Sequence, residues 1–221
     1  VLRWRWLTLI VLGLVTLGLF LTYSRTSMAA FGVGLAIMAL ARYRRFIPLM
    51  IAAGLLILLL PQTQAYVERF IDAFQGGDLA TQMRIGEYTD SLRLISQYPV
   101  FGVGFTGTPE IGLYTSVASM YLIMANQIGL VGVLIYSLTM LAVLFYGLAA
   151  WRYARNDVDL DSIHLGLHCA LVAALINAIG DLYYFRLDFQ ASITLFWLTA
   201  ALALASSHLI FRRHESTIAK N

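Results

Sequence analysis

The chain has 221 residues, of which 60% are hydrophobic and only 12% charged, with a mean hydropathy of +0.76. Soluble domains sit near ~45–50% apolar and ~25% charged, so a soluble enzyme is excluded, as are a disordered chain, a collagen-like repeat and a disulfide-stapled secreted module. The net charge of +3 does not point to nucleic acid, because nearly all the basic residues are arginines set in short clusters between apolar runs. Cys169 is the single cysteine and lies inside such a run, so it says nothing of redox compartment. This is a polytopic membrane protein.

Val1 stands where an initiator methionine is expected, and Arg3 and Arg5 precede an apolar run too long for a signal peptide, with no cleavage site after it. The chain is therefore expected to be the C-terminal part of a longer protein, one membrane domain over residues 1–221. Six runs reach or approach the ~20 apolar residues that cross a bilayer as helix. They are Trp6–Tyr23, Thr26–Ala41, Phe46–Leu60, Ser116–Trp151, Ser162–Leu182 and Phe189–Phe211. With a cytoplasmic N-terminus, Arg3, Arg5, Arg42, Arg44, Arg45, Arg152, Arg155, Arg212, Arg213 and Lys220 all fall on the cytoplasmic side. Short cytoplasmic loops carry the positive excess, which puts both termini in the cytoplasm. The expected fold is an all-α bundle of six transmembrane helices. Its one long external loop, residues 61–115, is polar and predicts two short helices, Gln64–Phe74 and Leu79–Gln97, separated by Gly76-Gly77. Tyr98-Pro99 ends the second, since the residue before a proline leaves the helical region.

Several residues stand out as chemistry. Arg25 sits in Ser24-Arg25-Thr26-Ser27, the tight external link between the first two spans; it either snorkels to lipid phosphate or grips an anionic group with its planar fork. Arg84, Glu87, Tyr88 and Ser91 share one helical face, as a surface ion pair or as a substrate-facing arginine oriented by a carboxylate. Pro99-Val100-Phe101-Gly102-Val103-Gly104-Phe105-Thr106-Gly107 matches GxGxxG. A nucleotide site needs a strand before the motif and a helix after it, so it reads instead as a flexible re-entry turn. His164 and His168, with Asp161 upstream, have metal-ligand spacing, but two interfacial histidines are the favoured reading. Asp181 is expected to pair with Arg186 within an aromatic belt, the alternative being that it faces the external cavity with Arg25 and Arg84. In the second span Ala30 and Gly34, and likewise Gly32 and Ala36, form small-xxx-small pairs that predict close helix packing.

The order of these features resembles the O-antigen ligase and polymerase family. A span ending in Ser24-Arg25 leads to a small-residue span and a basic turn. Arg84 with Tyr88 follows, then Pro99-x-x-Gly102-x-Gly104, then Tyr121-Leu122 entering Gly129-Leu130-Val131-Gly132. The resemblance covers about Trp6 to Ala150. It implies a C-type glycosyltransferase of the cytoplasmic (inner) membrane that uses a polyprenyl-pyrophosphate-linked glycan as donor and a glycan or lipid-linked acceptor, among membrane lipids. No metal, cofactor or nucleic acid is implied. Arg25 and Arg84 would hold the pyrophosphate, with Ser24, Tyr88, Arg93, Gly102, Gly104 and Tyr121 as substrate contacts. Ligases of this family carry a His-Asn pair where this chain has Ala118-Ser119, which leaves Glu87, Asp90 and Glu110 as acid–base candidates. The competing readings are a transporter or flippase of lipid-linked saccharide and a non-catalytic assembly partner. Transport favours broken helices and intramembrane charge, of which the first four spans offer little.

Overall fold

The computed structural model describes residues 2–22, 24–59, 79–105, 117–154 and 157–218. Among these residues all regular structure is helical. In chain order the α-helices are α1 (Leu2–Leu21), α2 (Arg25–Ala41), α3 (Ile47–Leu59), α4 (Leu79–Gln97), α5 (Met120–Ala154), α6 (Val158–Gly180) and α7 (Gln190–Ile218). α5, α6 and α7 are each long and apolar enough to cross a membrane, and α1 and α2 are shorter apolar helices. The protein is thus an integral membrane protein. The predicted helix Gln64–Phe74 lies outside the described residues, whereas Leu79–Gln97 is helical over the span expected for it.

The bundle core is α2, α5, α6 and α7. Leu171, Ala203 and Phe196 fill the contact between α6 and α7, with Met140 of α5 against them. α2 runs antiparallel to α6 and packs close, because its contact face is built from small residues. Ala30 and Gly34 are buried, and a Cβ on Gly34 would stand 3.1 Å from the Ala173 Cβ. The second expected pair differs. Gly32 is exposed with open space around it, since it lies on the face of α2 turned away from α6. Among the described residues α1 and α3 pack against α2 and the turn that follows it, and α1 exposes apolar side chains along most of its length.

The far end of the bundle from Asp181 is tied by ion pairs. Arg42, just past α2, meets Asp161 on α6 with Nε to Oδ2 at 3.0 Å. Trp151 Nε1 on α5 donates to the other Asp161 oxygen at 3.1 Å. Arg213 on α7 pairs with Asp157, the N-cap of α6. Histidines one and two turns on from Asp161 correct the sequence expectation. His164 is not interfacial but only 2% exposed. Its Nε2 donates to the Gly147 carbonyl at 3.0 Å and its Nδ1 lies 2.9 Å from Ser206 Oγ, while His168 Nδ1 donates to the His164 carbonyl at 2.9 Å. Among the described residues no His, Cys, Asp and Glu group gathers with metal-site geometry. The imidazoles join helices instead, which the sequence spacing alone did not reveal.

α5 contains the most unusual backbone. Gly129 interrupts it at φ 70° and ψ −179°, a conformation that costs a residue with a Cβ roughly 1–2 kcal/mol or more. The freed amides are taken by the segment after α4: Leu130 N donates to the Pro99 carbonyl at 2.8 Å and Val131 N to Val100 at 3.4 Å. In return Val103 N and Gly104 N donate to the carbonyls of Asn126 and Gln127 at 2.8 and 2.9 Å. The approach is too close for side chains, since a Cβ on Gly129 would strike the Val100 carbonyl and one on Gly102 the Asn126 carbonyl. The two glycine motifs of the sequence are thus the two halves of one backbone splice. The expected flexible turn is a docked one, and the fourth span is broken where an unbroken one was expected. Gly129→Ala in the full-length protein is expected to lower the free energy of unfolding by at least about 2 kcal/mol, read as a reduced thermal midpoint in detergent.

Candidate functional site

The break in α5 has a geometric consequence. Gly147 backs onto His168, and from there to Met120 a straight helix would rise about 40 Å at 1.5 Å per residue. α6 climbs from His168 to Asp181 in about 20 Å. Met120 N nevertheless donates to the Asp181 carbonyl at 2.9 Å, and Tyr121 OH donates to the Leu175 carbonyl at 3.0 Å. The Met120–Ile128 stretch therefore folds across the end of the bundle rather than continuing past it. That lid brings α4 with it. Ser91 Oγ of α4 donates to Asn126 Oδ1 at 3.1 Å, and Glu87 Oε2 accepts from Ala118 N at 3.2 Å. Tyr88 OH donates to the Ala118 carbonyl at 3.2 Å.

The start of α2 enters the same place from below. Ser24 is its N-cap, with a side chain that accepts from Ser27 N, as N-cap serines do. A Cβ on Gly180 would meet Thr26 side-chain atoms at 2.8 Å, so the first turn of α2 lies against the last turn of α6. Ser27 Oγ donates to Asn177 Oδ1 at 3.1 Å, and Asn177 Nδ2 donates to Tyr184 OH at 3.3 Å, which fixes the amide's orientation. Asp181, 8% exposed, is the centre of this end. The positive charge of Arg84 on α4 acts on its carboxylate. Its Oδ2 is buried without a hydrogen-bond partner among the described residues. The expected Asp181–Arg186 pair is replaced: Arg186 Nε meets Asp188 at 2.8 Å, because the turn after α6 carries Arg186 along with its own near neighbour.

Of the residues singled out in the sequence, Arg84 acts on Asp181 through its charge, and Ser24 reaches the same end through Ser27, which donates to Asn177. Arg25 begins α2 beside Thr26 and is half-buried, while Arg84 is exposed on α4. Arg93 is not brought in. Nine residues on from Arg84 is about two and a half turns, so it occupies the opposite side of α4, exposed. Glu87 and Tyr88 hold the Ala118 peptide, Gly102 and Gly104 form the splice, and the Tyr121 hydroxyl is engaged with α6. Glu110 lies outside the described residues.

A family model described as O-antigen ligase matches residues 9–137, more than half of the chain. The chain belongs to the O-antigen ligase family. The match starts in α1 and ends beyond the Gly129 break, so both halves of the splice, Arg25 and Arg84 lie within the O-antigen ligase region. Asp181 and Asn177 lie beyond it. No curated protein and no solved structure matches the chain.

The Glu87 geometry has a test. An amide oxygen accepts the Ala118 N–H as a carboxylate does, so Glu87→Gln in the full-length protein is expected to retain transfer within about threefold. Glu87→Ala leaves that N–H unpaired, at about 1–3 kcal/mol, and is expected to reduce transfer roughly tenfold. Equal loss in both variants, measured by glycan transfer in membranes, points to proton chemistry at Glu87 instead.

Proposed function

We propose that the protein transfers or polymerises polyprenyl-pyrophosphate-linked glycans at the external face of the cytoplasmic membrane, in assembly of O-antigen, capsule or exopolysaccharide. The family assignment implies ligase- or polymerase-type work on lipid-linked glycans. The observation that carries the reading further is the gathering of Arg84, the first turn of α2 and Asp181 at one end of the bundle. In this reading residues 1–221 form one membrane domain of six spans with both termini cytoplasmic, and the Asp181 end faces outward.

Arg25 and Arg84 hold the donor's pyrophosphate. The acceptor hydroxyl attacks the anomeric carbon, and the bond to phosphate breaks with its electron pair leaving on the polyprenyl pyrophosphate. Negative charge grows on that leaving group, and guanidinium groups fixed beforehand stabilise it most in the transition state. Two fixed guanidinium charges supply what a divalent cation would otherwise supply, so the reaction is metal-independent. Glu87 and Tyr88 position the Ala118 peptide, and through it α4 and Arg84.

The test is the full-length protein in proteoliposomes with a radiolabelled lipid-linked donor and acceptor. Growth of the glycan with release of polyprenyl pyrophosphate, unchanged by EDTA, is expected. Passage of an intact donor across the bilayer without bond cleavage would instead establish the flippase reading.

A further inference from the structure

Two apolar troughs lie at the end of the bundle away from Asp181. α5 sits close on α6 there, because Gly147 has no Cβ to strike the His168 ring. α2 also packs on α6, through Ala30 and Gly34, and a trough of about 250 Å³ stays open between α2 and α5. Ile37 and Ala41 form one bank, Leu144 and Leu148 the other, and Leu165 and Cys169 the floor. His164 and His168 line it too, yet they add no polarity. Their ring nitrogens are turned to Gly147, Ser206, Ser207 and the His164 carbonyl. A sugar or nucleotide finds no hydrogen-bond partner on such a wall, whereas an acyl chain needs none. From His164 to Val172 the trough follows α6 for about 12 Å, most of the ~15 Å of hydrocarbon in one leaflet.

A second trough, of about 310 Å³, lies on the next face of α2, where Ala36 and Leu40 meet Met50 and Ile51 of α3. Both troughs reach the last turn of α2, and charge stands at their mouths. Arg42 is engaged by Asp161 and Arg213 by Asp157. Arg44 and Arg45, in the turn after α2, and Arg152, near the end of α5, are exposed. Among the described residues none of these three meets a carboxylate. Arg44 Nε donates back to the Leu40 carbonyl at 3.1 Å, at the edge of the second trough. Tyr43 OH lies 3.4 Å from Ser162 Oγ and holds this turn against the start of α6. Arg152 stands one turn beyond Leu148, on the far bank of the first trough.

We infer that this end of the bundle binds one anionic diacyl phospholipid of the adjoining leaflet. Its phosphate sits on Arg44, Arg45 and Arg152, and its two chains occupy the two troughs. Guanidinium suits the phosphate through its planar fork, and anionic headgroups are drawn to basic residues at the membrane surface. Two troughs around one basic turn match a lipid with two chains and one headgroup; a polyprenyl carrier has a single chain. The site is about 30 Å along α6 from Asp181, so the lipid is separate from the glycan donor and its binding does not depend on the transfer reading.

The experiment reconstitutes the full-length protein into vesicles of equal parts phosphatidylglycerol and phosphatidylcholine, extracts it in mild detergent and reads retained lipid by native mass spectrometry. Phosphatidylglycerol is expected at about one per chain, preferred about fivefold or more, with the preference falling as salt rises. Combining Arg44→Gln, Arg45→Gln and Arg152→Gln is expected to bring the two lipids within about twofold. Arg212→Gln removes the same charge at the same end from α7, which lines neither trough, and is expected to change nothing. Ala41→Phe fills the first trough with every arginine in place, and is expected to lower retention about fivefold or more. Equal retention of both lipids by the wild type overturns the inference. So does an equal loss in Arg212→Gln, which marks surface charge alone, or full retention in Ala41→Phe, which empties the trough of its role. Displacement of phosphatidylglycerol by equimolar polyprenyl phosphate assigns the troughs to the carrier and overturns it. A wild type that retains neither lipid means that protein, from a longer chain or a second copy, covers the troughs, and overturns it as well.

Discussion

Replacing Arg25 or Arg84 with alanine is expected to lower glycan transfer by the full-length protein roughly 30- to 1000-fold. Each guanidinium lost from a pyrophosphate clamp removes a charge-assisted, two-pronged contact, worth about 2–4 kcal/mol by analogy with an oxyanion donor. At ~1.4 kcal/mol per tenfold this gives the stated range. Lysine is expected to rescue only in part, because it keeps the charge and loses the fork. The two sites differ in what surrounds them. Arg84 is exposed on α4, where its charge acts on Asp181, whereas Arg25 is half-buried at the start of α2. Arg93, on the far side of α4, serves as the control arginine, and Arg93→Ala is expected to stay within about threefold. The measurement is polymer assembly in cells lacking the native enzyme, with expression checked for each variant; wild-type turnover in both clamp variants would end the mechanism.

Local signals in the sequence were enough for the helices. The Leu79–Gln97 helix follows from its bounding Gly and Tyr98-Pro99, and the apolar runs mark α5, α6 and α7 because bilayer thickness demands that length. What could not be read was whatever two distant segments settle between them. Gly129 inside an apolar run looks like any small residue of a membrane helix; its positive φ follows from the Pro99–Gly104 segment docking on it. The GxGxxG spacing reads as a re-entry turn, yet the partner of that turn, Gly129, lies in another motif. His164 has the spacing of an interfacial or ligating residue until Gly147 and Ser206 arrive from two other helices. Asp181 was the costliest miss. Its near neighbour in sequence, Arg186, suggested a local pair, whereas its actual surroundings come from α2 and α4, about 100 to 150 residues away along a chain whose ends meet only in three dimensions. One signal was available: Asn177 and Asp181 are four apart, on one face of a helix end, facing the same way.

Arg42→Met is expected to destabilise the full-length protein by about 2–3 kcal/mol. Asp161 is 1% exposed, and among the described residues the Trp151 hydrogen bond is what its side chain would keep without Arg42. An uncompensated buried charge costs about 3–5 kcal/mol, and the figure here is lowered because the Arg42 side chain is 39% exposed and water screens part of the pair. Asp161→Asn is expected to cost less than about 1 kcal/mol, since the amide oxygen still accepts from Trp151 and the stranded cation is at the surface. This asymmetry, read by thermal unfolding in detergent, separates a buried-charge penalty from a simple loss of contact. It also bears on function. The pair joins the end of α2 to the start of α6, about 30 Å along α6 from Asp181. In a glycosyltransferase it is a brace, and the folded fraction of Arg42→Met is expected to transfer glycan at near the wild-type rate. In a flippase the same ion pair, closing α2 against α6 at the far end, would be a gate, and breaking it would change substrate passage far more than stability.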